Sequence, residues 1–216
     1  MAPDALTAPR ILDTAEEVLR RFGPEKATVV DVARALGVSH GAVYRHFASK
    51  AALREAVAAR WLARLSDPLA ALAEGKGPAP ERLRRWFEAL IGAKRRKVLE
   101  DPELFETYSR LVAESGAVVH AHVSHLTVQL ERIVADGAAR GEFRVEDPAA
   151  AARAVFSATS RFHNPAHAGE WSQPGIDQDF EGVFALVLGG LGAAPRARTA
   201  ARIPARVQRT AASRRK

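Results

Sequence analysis

The run TVVDVARALGVSHGAVYRHFASKAAL, residues 28–53, holds two short helical patterns separated by a glycine turn. Thr28 precedes the first: its hydroxyl oxygen can accept from a backbone amide two or three residues on. Asp31 then puts a negative charge in the first turn, where the helix dipole favours it. That helix is predicted to run to about Leu36. In Gly37-Val38-Ser39 the glycine tolerates a left-handed backbone and Ser39 can cap the next helix, predicted over about 40–46. Ser49 caps a further helix whose apolar positions Leu53, Val57, Trp61 and Leu65 recur at helical spacing. Val32, Ala33, Leu36, Val43 and Phe47 can close a small core, which leaves the polar edge of the 40–46 helix free to enter a major groove. Gly41 and Ala42 are small, as suits a helix that approaches a surface closely. Tyr44, His46 and Lys50 are donors spaced to flank it, where phosphate oxygens would lie.

Upstream, Ile11, Ala15, Val18, Leu19 and Phe22 form one stripe of a helix over about 9–22, which Gly23-Pro24 is expected to stop. Downstream, Asp67-Pro68 is expected to kink or end the helix that Ser49 starts. Glu74 to Pro80 (EGKGPAP) is the clearest break in the chain and reads as a surface connection. Helical patterns then cover about 80–97, 102–114, 117–140, 147–163 and 177–191, and strand-like alternation is nearly absent, so the fold class is all-α. The last of these is apolar on more than one side (Phe180, Val183, Phe184, Leu186, Val187, Leu188) and needs cover beyond its own face. With the alanine-rich 147–163 segment it is the candidate for a dimeric four-helix bundle, the alternative being a central core helix. Residues 195–216 hold eight Lys/Arg and no acid, lack an apolar stripe, and are expected to be disordered.

The segment from Thr28 to Lys50 resembles the DNA-binding domain of the TetR family. The resemblance rests on the helix started by Thr28, the Gly37-Val38-Ser39 turn, Tyr44-Arg45-His46-Phe47 closing the next helix, and Ser49-Lys50 opening the fourth. It covers about residues 9–65, with one departure at Ala51-Ala52, where family members often carry an acid. The resemblance implies a homodimer, usually a repressor, with a helical second domain that holds a small-effector pocket. The expected organisation is a helix-turn-helix domain over 1–66, an effector-binding and dimerisation domain over 67–194, and the basic tail over 195–216. Thr28, Tyr44, His46 and Lys50 are the expected phosphate contacts, with a core position the alternative for Tyr44. Ser39, His40, Gly41, Ala42 and Arg45 are the candidates for base edges; Ser39 can instead be only a cap, and Arg45 only a solvated side chain. The expected partners are double-stranded operator DNA, a second copy of the chain and an unknown small molecule.

Charge and composition narrow the classes further. The net +7 divides into +3 over residues 1–66, −4 over 67–194 and +8 over 195–216, so the basicity belongs largely to the tail and is poor evidence for nucleic acid by itself. With no cysteine, disulfide, zinc-thiolate and thiol-nucleophile chemistry drop out. The longest apolar run, VFALVL at 183–188, is far short of the roughly 20 residues of a membrane span. The N-terminus lacks a signal-peptide pattern, so a cytoplasmic protein away from membranes is expected. His120, His122 and His125, and His163 with His167 across Pro165, do not make a convincing metal set, and neither metal nor cofactor is predicted. After residue 67 no nucleophile-base arrangement or phosphate loop emerges, which argues against an enzyme; an adaptor using the helix pair for protein contact is the other rival. Effector-lining candidates are Trp86, Phe105, Tyr108, Phe156 and the polar-aromatic segment containing Arg161, Phe162, His163, Asn164, His167 and Trp171. Lys94-Arg95-Arg96-Lys97 reads as a solvated helix C-terminus, in keeping with the macrodipole.

Overall fold

The computed structural model describes residues 5–192; the basic tail and the expectation of its disorder lie outside the described residues. Every regular element among them is helical: α1 Ala8–Lys26, α2 Val29–Leu36, α3 His40–Tyr44, α4 Lys50–Ala73, α5 Ala79–Glu100, α6 Pro102–Ala113, α7 Gly116–Ala139, α8 Pro148–Ala158 and α9 Ile176–Gly192. Two 3₁₀ turns, Ser160–Phe162 and Pro165–Glu170, lie between α8 and α9. The molecule is thus all-α, with an N-terminal helix bundle followed by a C-terminal helical domain.

The caps expected from sequence are in place. Thr28 and Asp31 form a reciprocal capping box, in which Asp31 N donates to Thr28 Oγ1 at 3.2 Å and Thr28 N donates to Asp31 Oδ2 at 3.1 Å. These bonds, foremost the Thr28 hydroxyl, hold the Asp31 carboxyl below its usual range. Gly37 adopts φ 68°, and Val38 N reaches back to Ala33 O at 3.0 Å, which closes α2 and turns the chain into α3. Ser39 and Ser49 cap α3 and α4 through the amides of Ala42 and Ala52.

Three boundaries differ from expectation. Gly23 (φ 76°) breaks the path of α1, but helical turns resume through Pro24 to Lys26, because proline fits the first turn of a helix, where its missing N–H has no partner to lose. Phe22 continues the α1 stripe by spacing yet is 42% exposed beside that break, with the Arg21 guanidinium 5.2 Å from its ring. Pro68 does not end α4, which runs five residues further to Ala73. A proline inside a helix costs about 3 kcal/mol, and burial of Leu65, Leu69 and Ala73 on one face offsets it at about 1.5–3 kcal/mol per large side chain. Finally, α3 is shorter than 40–46, and Arg45, His46 and Phe47 follow it in hydrogen-bonded turns closing on Gly41 and Val43.

Two hydrophobic clusters hold the chain. One gathers the end of α4 with α5, α7, α8 and α9 around Trp86, Phe87, Leu130, Phe162 and Phe184. The other joins α1, α2, α3 and the first two thirds of α4 to Phe105, Tyr108 and Leu111 of α6 and to Trp171. Trp61 of α4 stacks flat on Tyr108 (5.1 Å, 1°), and Phe105 meets both Trp61 and Trp171 edge-on. The N-terminal bundle therefore shares a core with α6, and α4 belongs to both clusters. Close approach between α5 and α7 is set at Gly137, where a Cβ would come within 2.4 Å of the Phe143 ring and 2.7 Å of Ala79 Cβ. No described helix is long and apolar enough to cross a membrane.

Candidate nucleic-acid interface and effector groove

The α2-turn-α3 unit presents a continuous polar edge. Val43 is fully buried and Val32 and Ala33 nearly so, which fixes the inner side of both helices. The opposite side exposes Ser39, His40, Gly41, Tyr44, Arg45 and His46, with Thr28 at the start of α2 and Lys50 at the start of α4. Tyr44 is 43% exposed, so it is not a core aromatic; its ring meets His40, one turn earlier, edge-on at 6.4 Å. Ala42 differs from expectation. At 6% exposure its methyl is part of the inner packing, because it precedes Val43 on the side of α3 turned toward α2, and its side chain is not available to a base edge.

Gly41 is informative for the opposite reason. A Cβ built there would meet only Ser39 Oγ, at 3.9 Å. Nothing inside the fold requires glycine at this position, and glycine in a helix costs about 1 kcal/mol against alanine. The missing side chain leaves bare backbone on the outer edge.

The effector-lining candidates do not form one site. Trp86 and Phe162 are sealed inside the α5/α7/α8/α9 cluster, with Phe156 packed partly buried against it, whereas Phe105, Tyr108 and Trp171 belong to the other cluster. Burial pushes the Tyr108 phenol up to about 12. Arg161 pairs with Glu170 (2.7 Å) and Asp179 (2.8 Å), and His167 bonds Glu170 at 2.8 Å. Asn164 caps the second 3₁₀ turn through Ala166 N. These polar groups form a network that ties the segment to α9, with Trp171 Nε1 donating to Arg161 O. The segment's polar groups are thus held by one another.

A different set of groups is buried without full compensation. Lys94 of α5 is 6% exposed, contrary to the solvated reading of the 94–97 run, and its ammonium donates to His163 O at 2.8 Å. The stripe Phe87, Leu90, Ile91, Lys94 explains this: Lys94 occupies the next inward position of α5. His163 is itself buried, with Nε2 3.2 Å from both Thr159 Oγ1 and Phe156 O. His122 of α7 has a buried Nε2 with no hydrogen-bond partner. Beside it, α4 and α7 enclose a groove of about 440 Å³ lined by Ala59, Leu62, Ala63, Ala121, His122 and His125 among others. Next to the lining residue Ser66, Gln129 accepts from Trp86 Nε1 (2.9 Å) and donates to Ser66 O (3.1 Å), linking α5, α7 and α4. Sequence reading took His122 for a surface or pocket-lining histidine and not a metal ligand; the signal for its inward side is i, i+4 spacing to the buried Leu126.

Burial, assisted by the Lys94 charge, holds His122 and His163 neutral down to about 3. The unfolded chain takes up a proton at each near pH 6.5 and the folded chain does not. Stability should therefore be full above pH 6.5 and fall below it, by about 1.4 kcal/mol per pH unit for each imidazole. Burial also pushes Lys94 down to about 8, so stability should rise between pH 8 and 10.5, where only the unfolded chain keeps that proton. Urea unfolding at pH 7.5 and 5.5 checks the acid limb. The His122→Gln/His163→Gln double variant should lose most of the difference, and an unchanged difference would place its origin elsewhere.

Among the described residues no group of three His, Asp or Glu side chains converges as a metal site. Residues 11–57 match the family described as bacterial regulatory proteins, tetR family, and residues 79–184 match the tetracyclin repressor-like C-terminal domain. The chain belongs to the TetR family of transcriptional regulators. It is thereby a DNA-binding regulator of the helix-turn-helix type, a family of non-catalytic proteins. Solved structures resemble it over most of its length. A protein of unknown function from Rhodococcus sp. RHA1 is 26% identical, covering 88% of this chain and 97% of that one, with a TM-score of 0.63. Two TetR-like folds are more distant in sequence. The regulator FadR from Bacillus subtilis, solved with stearoyl-CoA, is 17% identical (85% and 99% covered, TM-score 0.60). SmeT, repressor of the Stenotrophomonas maltophilia efflux pump SmeDEF, is 20% identical (88% and 96% covered, TM-score 0.59). No curated protein matches the sequence.

Proposed function

We propose that this TetR-family protein is an effector-responsive repressor that binds a near-palindromic operator as a homodimer. The observation that carries the reading is the exposed edge of α3, with bare backbone at Gly41 between His40 and Tyr44 where the fold itself does not ask for glycine. Thr28, Tyr44, His46 and Lys50 take phosphate oxygens around that edge, and Ser39, His40, Gly41 and Arg45 approach base edges. Two such units, held roughly 34 Å apart, fit successive major grooves. Residues 1–66 read the operator; residues 67–194 dimerise and receive the effector. In the dimer, α8 and α9 form a four-helix bundle with their partners, which covers Leu186, 78% exposed in the single chain, and the partly buried Val183, Val187 and Leu188.

Because α4 carries Lys50 at one end and packs on α5, α6 and α7 further along, an effector that shifts α4 changes the spacing of the two reading edges. Operator DNA must then weaken effector binding by the same factor. A SmeT-like repressor and a FadR-like ligand complex on the same fold are in keeping with both halves of the reading.

Gel shift with the DNA upstream of its own gene tests the proposal, with Gly41→Ala as the diagnostic variant. Alanine should raise stability by about 0.5–1 kcal/mol, since it improves helix propensity and meets nothing. The same change should weaken operator binding at least tenfold, because the methyl stands between backbone and DNA. Operator binding equal to the parent's would remove the close approach.

A further inference from the structure

We infer that the cavity at the seam between the N-terminal bundle and α6 takes a small aromatic monocarboxylate, its ring lying among Trp61, Leu104 and Phe105 and its acid group received by Tyr108, Arg20 and Lys97. The inference rests on the effector-responsive reading above, names the chemistry of the ligand, and adds α1 to the surface that receives it.

The cavity holds about 420 Å³ and is walled by α1 at Glu16 and Arg20, by α4 at Trp61, by the end of α5, and by α6 at Phe105 and Tyr108. Its apolar surface is largely aromatic, with Trp61 stacked on Tyr108 and Phe105 edge-on to Trp61, so a flat ring finds ring neighbours there. Its polar surface is incomplete. Tyr108 is 2% and Trp61 7% exposed, yet neither the phenol oxygen nor the indole nitrogen has a hydrogen-bond partner among the described residues. The other two tryptophans, Trp86 and Trp171, both donate to oxygens. Neither unpartnered atom of the Trp61–Tyr108 pair is sealed off, and both residues line the cavity, so both donors open into it. Donors on side chains this buried are costly to leave without an acceptor. Burial and the Glu16 charge keep the phenol protonated up to about 12, so it donates throughout the working range.

The charges around the cavity select the sign of the ligand. Glu16 is taken up by Arg60 (2.7 Å) and Arg64 (2.8 Å), while Asp101 accepts from Leu104 N at the positive end of α6. Arg20 and Lys97 pair with no acid among the described residues, and the remaining lining acid, Glu100, pairs with no base. Two cations therefore face one carboxylate, which favours a ligand of charge −1 and disfavours an amine. Because α1 supplies Arg20 and α6 supplies Phe105 and Tyr108, the ligand bears on the contact between the DNA-reading bundle and the second domain.

The test uses the full-length protein without DNA and three probes sharing one ring system: 2-naphthoate, 2-naphthalenemethanol and 2-naphthylmethylamine, followed by calorimetry at pH 7. The acid should bind about tenfold tighter than the alcohol, the margin of a charge-assisted hydrogen bond, and the amine weakest. The Arg20→Gln/Lys97→Gln double variant alters two exposed side chains, so it should erase the preference for acid over alcohol at an unchanged melting temperature. Glu100→Gln should instead tighten the acid by about threefold, a gain that a damaged fold would not give. Tyr108→Phe should weaken acid and alcohol alike by about fivefold, since either oxygen accepts from the phenol. Equal binding of acid and alcohol, or a preference unchanged in the double variant, overturns the assignment. Gel shift separates this inference from the regulator reading. If the operator is bound while the acid is not, the ligand assignment falls and the regulator stands; if the acid is bound and no operator ever is, the site stands and the regulator falls.

Discussion

Arg45→Ala is expected to weaken operator binding by about tenfold to a hundredfold, the 1–3 kcal/mol of a lost bidentate base contact, and to relax sequence preference at one or two positions per half-site. Lys50→Ala is expected to weaken specific and random duplex alike and to lower the salt slope by about one. The contrast follows from where the residues sit. Arg45 is the exposed residue that closes α3, with its backbone still bonded to Gly41 O, so its side chain leaves the reading edge itself. Lys50 is the first residue of α4, where an ammonium adds to the positive end of a 24-residue helix. Both are exposed, so neither change should alter the melting temperature measurably. Titrating labelled operator and a scrambled duplex at two salt concentrations separates the roles. If Arg45→Ala lost affinity equally for both duplexes, it would be a phosphate contact and base reading would pass to Ser39 and His40.

The helix-turn-helix was legible because its signals are local. Thr28, Gly37, Ser39 and Ser49 act on backbone groups within a few residues, so their roles follow from type and spacing. Helix termini that depend on distant packing were not legible in the same way. Pro68 would end an isolated helix, but the burial of Leu69 and Ala73 against α5 and α7 keeps α4 going. The effector side depends on distant packing in the same way. Polar and aromatic residues concentrated at 161–171 look like a binding segment, yet Arg161, Glu170 and Asp179 satisfy one another. Lys94, in contrast, looks like one charge among four until the inward stripe of α5 is followed through it. A basic run hides a buried lysine unless periodicity is applied to charged positions as well as apolar ones.

Trp86→Ala should be the most destabilising single substitution considered for the C-terminal domain. The side chain is fully buried, meets Phe87 edge-on at 5.0 Å and donates to Gln129. Removing it costs about 3–5 kcal/mol for the ring and its cavity. A further cost of about 1–3 kcal/mol arises from leaving Gln129 Oε1 without its donor. Against a typical total of about 5–15 kcal/mol, such a loss leaves the domain marginal or unfolded, and DNA binding should fail with it if the dimer is assembled there. Trp86→Phe separates packing from the hydrogen bond: it keeps most of the apolar volume, so urea unfolding should show a smaller loss, dominated by the unsatisfied Gln129. Gln129 also bonds Ser66 O and lies 2.9 Å from His125, two residues that line the α4/α7 groove. Trp86→Phe should therefore lower stability while leaving operator binding intact below the unfolding transition, because Trp86 is wholly buried and bonds Gln129, away from the exposed edge of α3. A variant of normal stability that had lost operator binding would give Trp86 a part in DNA recognition, against its complete burial.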